Sequence, residues 1–124
     1  MDAHSVVFDF WLRMKSNNFR HAAELLADEY VCYWPMSNEV IRGRENFIAV
    51  NEQYPTQGLW RFDVQEIIAE DERVVSDVII TDGQTSARLI SFHIVRDGKI
   101  VQQKEFWPEA YQPPEWRQKF TDRG

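Results

Sequence analysis

The sequence is short of the residues that several classes of function require. Its 124 residues include a single cysteine, Cys32, which excludes an internal disulfide and a cysteine metal cluster, and which we interpret as a buried structural thiol. Lys and Arg number 14 against 20 Asp and Glu, the net charge is −6, and the basic residues are scattered. Nucleic-acid binding is therefore disfavoured, because phosphate contacts require a basic surface stripe.

Long hydrophobic runs and ligand-binding motifs are also missing. No segment approaches the length of a membrane span, and residues 1–14 lack the basic start and unbroken apolar core of a signal peptide. We therefore expect a cytoplasmic protein that does not bind membranes. His4, His21 and His93 lie on different predicted elements without metal-ligand spacing, and no phosphate-binding glycine loop or dinucleotide fingerprint occurs. We expect neither a metal nor a cofactor.

Apolar residues, by contrast, are plentiful. Hydrophobic residues make up 44% of the chain and aromatic residues 14%, which is enough for a real core and argues against intrinsic disorder. The length suits one domain spanning 1–124. Most of the aromatic residues should pack that core, but such residues also line pockets for apolar ligands.

The hydrophobic pattern predicts helices first and a long antiparallel meander afterwards. Apolar residues recur at helical spacing over 7–14 and again over 19–26. Tyr30 to Trp34 reads as a strand, and a short third helix follows Gly43. Four further strands are predicted at 60–65, 73–80, 85–95 and 99–107. The proline-rich tail, 108–124, should wrap the outside, and the order of elements indicates an α+β fold.

Five short segments give the chain a family resemblance. They are LLADEY (25–30), IRGRE (41–45), RDGKI (96–100), EFWP (105–108) and PPEWR (113–117). Together, and in this order, they resemble SnoaL-like proteins of the nuclear transport factor 2-like, or ketosteroid isomerase-like, superfamily. The resemblance implies a conical barrel: a strongly curved, mainly antiparallel sheet with three helices from the N-terminal half enclosing a pocket. It also implies a homodimer packed through the outer face of the sheet.

Catalytic residues of two superfamily enzymes transfer only in part. The tyrosine, the aspartate base and the aspartic acid of ketosteroid isomerases fall on Phe10, Trp34 and the neighbourhood of Ser91, so that mechanism is disfavoured. Two aspartates of limonene-epoxide hydrolases match Asp77 and Glu105, but the arginine of that set has no counterpart. SnoaL-type cyclases need little more than one acid or base in the pocket, which Glu105 could supply.

Alternation along the last strand decides whether Glu105 faces the pocket. The resemblance places one set of alternate residues inward, namely Val101, Gln103, Glu105 and Trp107. Desolvation against Trp107 would raise the pKa of the Glu105 carboxyl and make it a usable acid or base. The alternative is a surface carboxylate paired with Lys104 or Arg88.

The facing of His93 depends on the turn that follows it. A three-residue loop over 96–98 with a glycine bulge places His93 and its alternate neighbours, Leu89, Ser91 and Val95, on the pocket face. A two-residue loop over 97–98 exchanges the faces. We favour the bulged loop, which leaves Ile90, Phe92 and Ile94 free for a dimer interface.

Two kinds of site residue are predicted for a pocket that takes a small apolar molecule. Glu105 is the candidate general acid or base, Asp77 would orient water or substrate, and His93 is a third catalytic candidate. The other wall residues are Phe10, Trp34, Gln103 and Trp107. An accessible buried carboxylate favours a cyclase, isomerase or hydrolase. A pocket without acid–base partners favours a non-catalytic binder, and one filled by its own aromatic residues favours a dimeric interaction module.

Overall fold

A computed structural model describes all residues, 1–124, as three helices and a six-stranded mixed sheet. The helices are α1 (Ala3–Met14), α2 (Phe19–Ala23) and α3 (Gly43–Gln53), followed late in the chain by a 3-10 helix (Glu115–Phe120). The strands are β1 (Leu26–Trp34), β2 (Glu39–Arg42), β3 (Arg61–Glu70), β4 (Arg73–Thr81), β5 (Ser86–Arg96) and β6 (Lys99–Phe106).

The strand order is β2-β1-β6-β5-β4-β3, and the sheet does not close on itself. The β1–β6 pair is parallel and every other pair is antiparallel. The predicted α+β class and curved, cone-shaped architecture are confirmed. The short edge strand β2 was not predicted.

Helix α1 closes the concave side of the sheet. The Asp2 side chain caps the helix by accepting a hydrogen bond from the Ser5 backbone N–H at 2.8 Å. One face of the helix contacts β3, β4, β5 and β6. The buried residues of that face are Val6, Val7, Phe10, Trp11 and Met14. Each such side chain contributes roughly 1.5–3 kcal/mol relative to an exposed one, so this helix anchors the core.

The turn after α1 is tied to the edge strand of the sheet. Asn17 has a φ of 61°, in the left-handed region that asparagine tolerates. Its side-chain amide donates to the Trp60 carbonyl at 2.7 Å and accepts from the Trp60 N–H at 2.9 Å. One side chain thereby fastens the helical layer to the start of β3.

The hairpin between β5 and β6 differs from the prediction in an instructive way. Arg96 pairs with Lys99, so the loop has two residues, and both have positive φ: 51° at Asp97 and 74° at Gly98. Positive φ at both positions is the signature of a type I′ turn. The favoured three-residue loop is therefore wrong. Farther along the hairpin, the register shifts between Ile94 and Val95 and leaves Val101 unpaired as a bulge.

That bulge restores the predicted facing by another route. His93 pairs with Gln103 and Ser91 with Glu105, and all four are buried on the concave side. Because Val101 is the extra residue, Ile100 also turns inward and is fully buried. The inward assignment of Val101 is correspondingly wrong.

The C-terminal tail lies at the surface. Most of residues 108–124 are exposed, including the aromatic side chains of Tyr111, Trp116 and Phe120. The tail begins beside the open end of the sheet, where Pro108 and Ala110 border a groove. No helix has both the length and the apolar character that crossing a bilayer requires.

Candidate functional site

An interior cavity of about 60 Å³ lies between the helices and the concave face of the sheet. Fourteen of its 16 lining residues are hydrophobic, and Glu105 is the only charged one. A side chamber of about 190 Å³ and an open groove of about 740 Å³ adjoin it. All three spaces share Tyr54 and Trp107, and Trp34 lines both the cavity and the groove. We call these three residues the mouth.

Four neutral groups hold the Glu105 carboxylate on the cavity wall. Its Oε1 accepts from the Trp34 indole N–H at 3.0 Å and from the Cys32 thiol at 3.4 Å. Its Oε2 accepts from the Ser91 hydroxyl and from the Gln103 amide, each at 2.9 Å. Glu105 is 8% exposed, and no Lys, Arg or His forms an ion pair with it. The carboxylate is thus fully hydrogen-bonded but has no cationic partner.

The surroundings of Glu105 keep nearby groups protonated. Burial, and then the charge of Glu105, raise the pKa of the Cys32 thiol far above its usual range. Burial also raises the pKa of Tyr30, with further contributions from Cys32 and Glu105. The Tyr30 hydroxyl donates to the Gln103 Oε1 atom at 3.2 Å and so orients the amide that holds Glu105. Cys32 is therefore a buried thiol and not an activated nucleophile.

His93 faces inward but lies off the wall of the cavity. Its Nε2 is 2.7 Å from the Ser76 Oγ, which also accepts the Trp11 indole N–H at 3.1 Å. Its ring meets those of Phe10 and Trp11 edge-on, and its Nδ1 has no hydrogen-bond partner. Burial lowers the pKa of His93 to about 3, so the imidazole is neutral. The structure does not bring this candidate together with Glu105 in the cavity.

Asp77 lies on the opposite, convex face, so its prediction as a pocket carboxylate is wrong. The residues on either side of it in β4, Ser76 and Val78, point into the core, and Asp77 points the other way. Its oxygens accept hydrogen bonds from the Arg88 guanidinium at 2.5 and 2.6 Å. These hydrogen bonds lower the pKa of Asp77 and satisfy the carboxylate outside the cone.

The remaining predicted residues either line the cavity or hold a residue that lines it. Phe10, Trp34 and Trp107 line the cavity, whereas Gln103 lies behind Glu105 and holds it. At the mouth, the ring centroids of Trp34 and Trp107 are 6.1 Å apart, and the ring planes make an angle of 88°. Sequence reasoning missed the mouth residue Tyr54, which packs edge-on against Trp60 at 5.8 Å.

Comparisons with known proteins agree with this fold. The model of a family described as SnoaL-like domain matches residues 7–103. Among solved structures, a suspected ketosteroid isomerase from Kribbella flavida is 27% identical with a TM-score of 0.91, covering 98% of this chain and 89% of that one. No curated protein matches.

Two more distant structures share the fold. A ketosteroid isomerase-like protein from Catenulispora acidiphila, in complex with trimethylamine, is 11% identical with a TM-score of 0.69, covering 82% of this chain and 83% of that one. An LEH-like epoxide hydrolase from M. tuberculosis is 17% identical with a TM-score of 0.68, covering 86% of this chain and 82% of that one. At these identities the likeness concerns the fold alone.

Proposed function

Since this chain belongs to the SnoaL-like domain family, we propose that it binds a small, largely apolar organic molecule in the interior cavity and the side chamber beside it, with the negative charge of Glu105 as the anchor. One observation carries the proposal: a single carboxylate without a cationic partner lies on an otherwise apolar wall. A few polar groups on an apolar wall are the usual composition of ligand sites. The trimethylamine in the Catenulispora structure supports only the general point that proteins of this fold take small molecules.

The hydrogen bonding of Glu105 disfavours proton transfer by this carboxylate. A carboxylate offers about four lone-pair positions, and here each has a donor. A general base needs a free lone pair within reach of the substrate proton. The other two catalytic candidates, Asp77 and His93, are outside the cone and off the cavity wall.

A second candidate function, proton transfer by Glu105 alone, has one observation in its favour. The Cys32 thiol is a weak donor, and at 3.4 Å it is the farthest of the four partners of the carboxylate. A substrate that displaced this thiol would gain access to Oε1. Glu105 could then remove a proton from a carbon next to a carbonyl group, as a SnoaL-type cyclase or isomerase requires.

Replacing Glu105 by glutamine tests the binding proposal. The amide retains the shape of the side chain, and the Ser91 hydroxyl and Gln103 amide can both turn to accept a hydrogen bond. We expect Glu105→Gln to keep its thermal melting profile and to lose at least about tenfold in affinity for ligands found by mass spectrometry or by NMR screening. Asp77→Asn, which removes the same charge from the convex face, should bind normally. Unchanged affinity in Glu105→Gln would contradict the proposal.

Deuterium exchange separates binder from enzyme. Small ketones are incubated with the protein in heavy water, and loss of the NMR signal of the protons beside the carbonyl is followed. A binder leaves the exchange rate at its uncatalysed value. Exchange that is accelerated by the parent protein and abolished in Glu105→Gln would establish the enzyme instead.

We also retain two proposals about the surroundings of the protein. The first is a homodimer through the convex face, supported by Phe92, which is 43% exposed and packs edge-on against Phe106 at 6.0 Å. Sedimentation at micromolar concentration should show a dimer that Phe92→Glu disrupts, and a parent protein that stays monomeric would refute this.

The second is a cytoplasmic location, which suits a chain whose single cysteine, Cys32, is free and buried. Fractionation of the native cells tests the location, and recovery from the envelope or the medium would contradict it.

A further inference from the structure

The charges around the cavity point to the class of its ligand. We propose that the site takes an alkylated ammonium ion, whose charge lies at the mouth, among Trp34, Tyr54 and Trp107, within the field of Glu105. This inference rests on the proposed binding function and specifies its ligand.

The first argument concerns uncompensated charge. Glu105 is the only charged residue lining the cavity or the side chamber. Its four hydrogen-bond donors are neutral, so they stabilise the carboxylate without cancelling its charge. A buried charge is normally paired, and a cationic ligand would supply the partner that the protein lacks. The attraction would be stronger than in bulk water, because the apolar walls on the cavity side reduce contact with solvent.

The second argument concerns the walls of the mouth. The Trp34 and Trp107 rings are nearly perpendicular, and Tyr54 stands at 75° to Trp60. The mouth is therefore built from three aromatic rings, and the planes of its two indoles differ in direction. Electron-rich faces of Trp and Tyr attract cations, and sets of such rings recognise quaternary ammonium groups.

The third argument selects alkylated ammonium ions over primary ones. A primary ammonium brings three N–H donors to the mouth of the cavity. Glu105 has no free lone pair to receive them, and the other cavity walls are almost wholly apolar. Donors that turn towards the cavity would lose their hydration without replacement, at a cost in affinity. Methyl groups in place of N–H groups remove that cost and match the apolar surface.

Charges outside the cavity agree with this choice. The chain has a net charge of −6, which attracts cations at a distance. The single basic residue on the groove outside the mouth is Arg88. Its guanidinium is paired with Asp77, and the groove also contains the acidic residue Glu109. No unpaired positive charge borders the entrance.

Three related probes test the proposal by calorimetry or by quenching of tryptophan fluorescence. They are choline, its neutral isostere with a tert-butyl group in place of the trimethylammonium group, and ethanolamine. We expect choline to bind at least about tenfold more tightly than either of the others. Glu105→Gln should lose this preference, and an unchanged thermal melting profile shows that the variant is folded. Asp77→Asn is the matched control, since it removes one negative charge but lies outside the cone.

The possible outcomes separate the two proposals. Equal affinity for choline and its isostere would overturn the cationic ligand and leave the binding function standing. If none of the three probes binds while neutral molecules from the NMR screen do, the cationic ligand is refuted and the binding function again stands. If no molecule of either kind occupies the cavity, the binding function itself fails. A choline preference that survives in Glu105→Gln would also refute the inference, because the carboxylate would not be its source.

Discussion

Glu105 and His93 are two buried ionisable groups that differ in how many hydrogen-bond partners they have. They face the same interior from adjacent strands. Each has an indole N–H in its hydrogen-bond network. The Trp34 indole donates directly to Glu105, whereas the Trp11 indole donates to Ser76, which is the partner of His93. Glu105 accepts four hydrogen bonds at the open end of the cone. His93 has one polar partner, and its Nδ1 has none.

The difference shows what a buried charge requires. Donors arranged around a carboxylate replace the water it has lost, and the charge stays available to a ligand. Where donors and acceptors are scarce, desolvation removes the charge, and the pKa of His93 falls to about 3. The fold therefore tolerates His93 by keeping it neutral, whereas it surrounds Glu105 with hydrogen-bond donors.

The sharpest way to break this comparison is to make both sites apolar. Glu105→Leu leaves the Trp34, Ser91 and Gln103 donors without an acceptor, and we expect the free energy of unfolding to fall by about 3 kcal/mol. His93→Leu removes an unsatisfied nitrogen, and Ser76 still accepts from Trp11, so we expect a loss below about 1 kcal/mol. Urea unfolding measures both. Equal losses would show that the two networks do not differ as described.

Acid should destabilise the protein through His93. Its pKa is about 3 when folded, against an ordinary value near 6.5 when unfolded, so in this window the unfolded chain binds more protons. The free energy of unfolding should therefore fall as the pH drops below 6.5, approaching about 1.4 kcal/mol per pH unit. Urea titrations between pH 5 and 7 avoid most carboxylate titration.

Two histidine substitutions serve as controls for the acid effect. His93→Gln should flatten the dependence in this window, because no buried imidazole remains to be protonated. His4→Gln should leave it unchanged, because His4 is exposed at the start of α1. A slope that survives in His93→Gln would assign the acid sensitivity to another group.

A smaller effect distinguishes the two tryptophans of the mouth. Trp34→Phe removes the 3.0 Å donor to Glu105, and we expect a loss of about 1 kcal/mol in the free energy of unfolding. Trp107→Phe is a matched change at a ring that makes no such bond, and it should cost less. Thermal melting followed by circular dichroism compares them. A costlier Trp107→Phe would mean that ring packing, and not the carboxylate network, dominates at the mouth.

The smallest effect is expected on the convex face. Asp77→Asn breaks the ion pair with Arg88, which is 48% exposed at its side chain, and exposed pairs contribute little. We expect a loss of about 0.5 kcal/mol that shrinks further in high salt. Urea unfolding at two salt concentrations tests this. A salt-independent loss well above 1 kcal/mol would show that the pair is more than a surface interaction.

The fold could be predicted because most elements carry a strong local pattern. The helical spacing of Phe10, Trp11 and Met14 survives as the buried face of α1, and the Asp97-Gly98 pair does form a hairpin turn. The edge strand β2 has only four residues, with one buried, so it carries too little alternation to be recognised. The bulge at Val101 has no sequence signature either, because it depends on how two strands must align.

The site was predictable in part, for a reason visible on β4. Val74, Ser76 and Val78 alternate with Val75, Asp77 and Ile79, so both faces of this strand are mainly apolar. Alternation alone cannot decide which set is inside, and the family comparison placed Asp77 wrongly. On β6 the charged Lys104 is exposed and Glu105 buried, as the resemblance implied. The role of Ser76 as the partner of His93 had no sequence signal, because it depends on Trp11 from another element.

The bulge at Val101 shows that the face on which a β6 side chain lies depends on how many residues separate it from the hairpin turn, an odd or an even number. From the turn to Val95, the two residue numbers of every cross-strand pair add up to the same value. Beyond the bulge this sum is larger by one, because Val101 has no partner. Deleting Val101 would therefore leave every later side chain on its present face. Deleting Lys104 would instead bring Glu105 opposite Phe92, outside the cone. In evolution, a single lost codon in this strand could thus leave the pocket intact or turn its only charge outward, depending solely on where it falls.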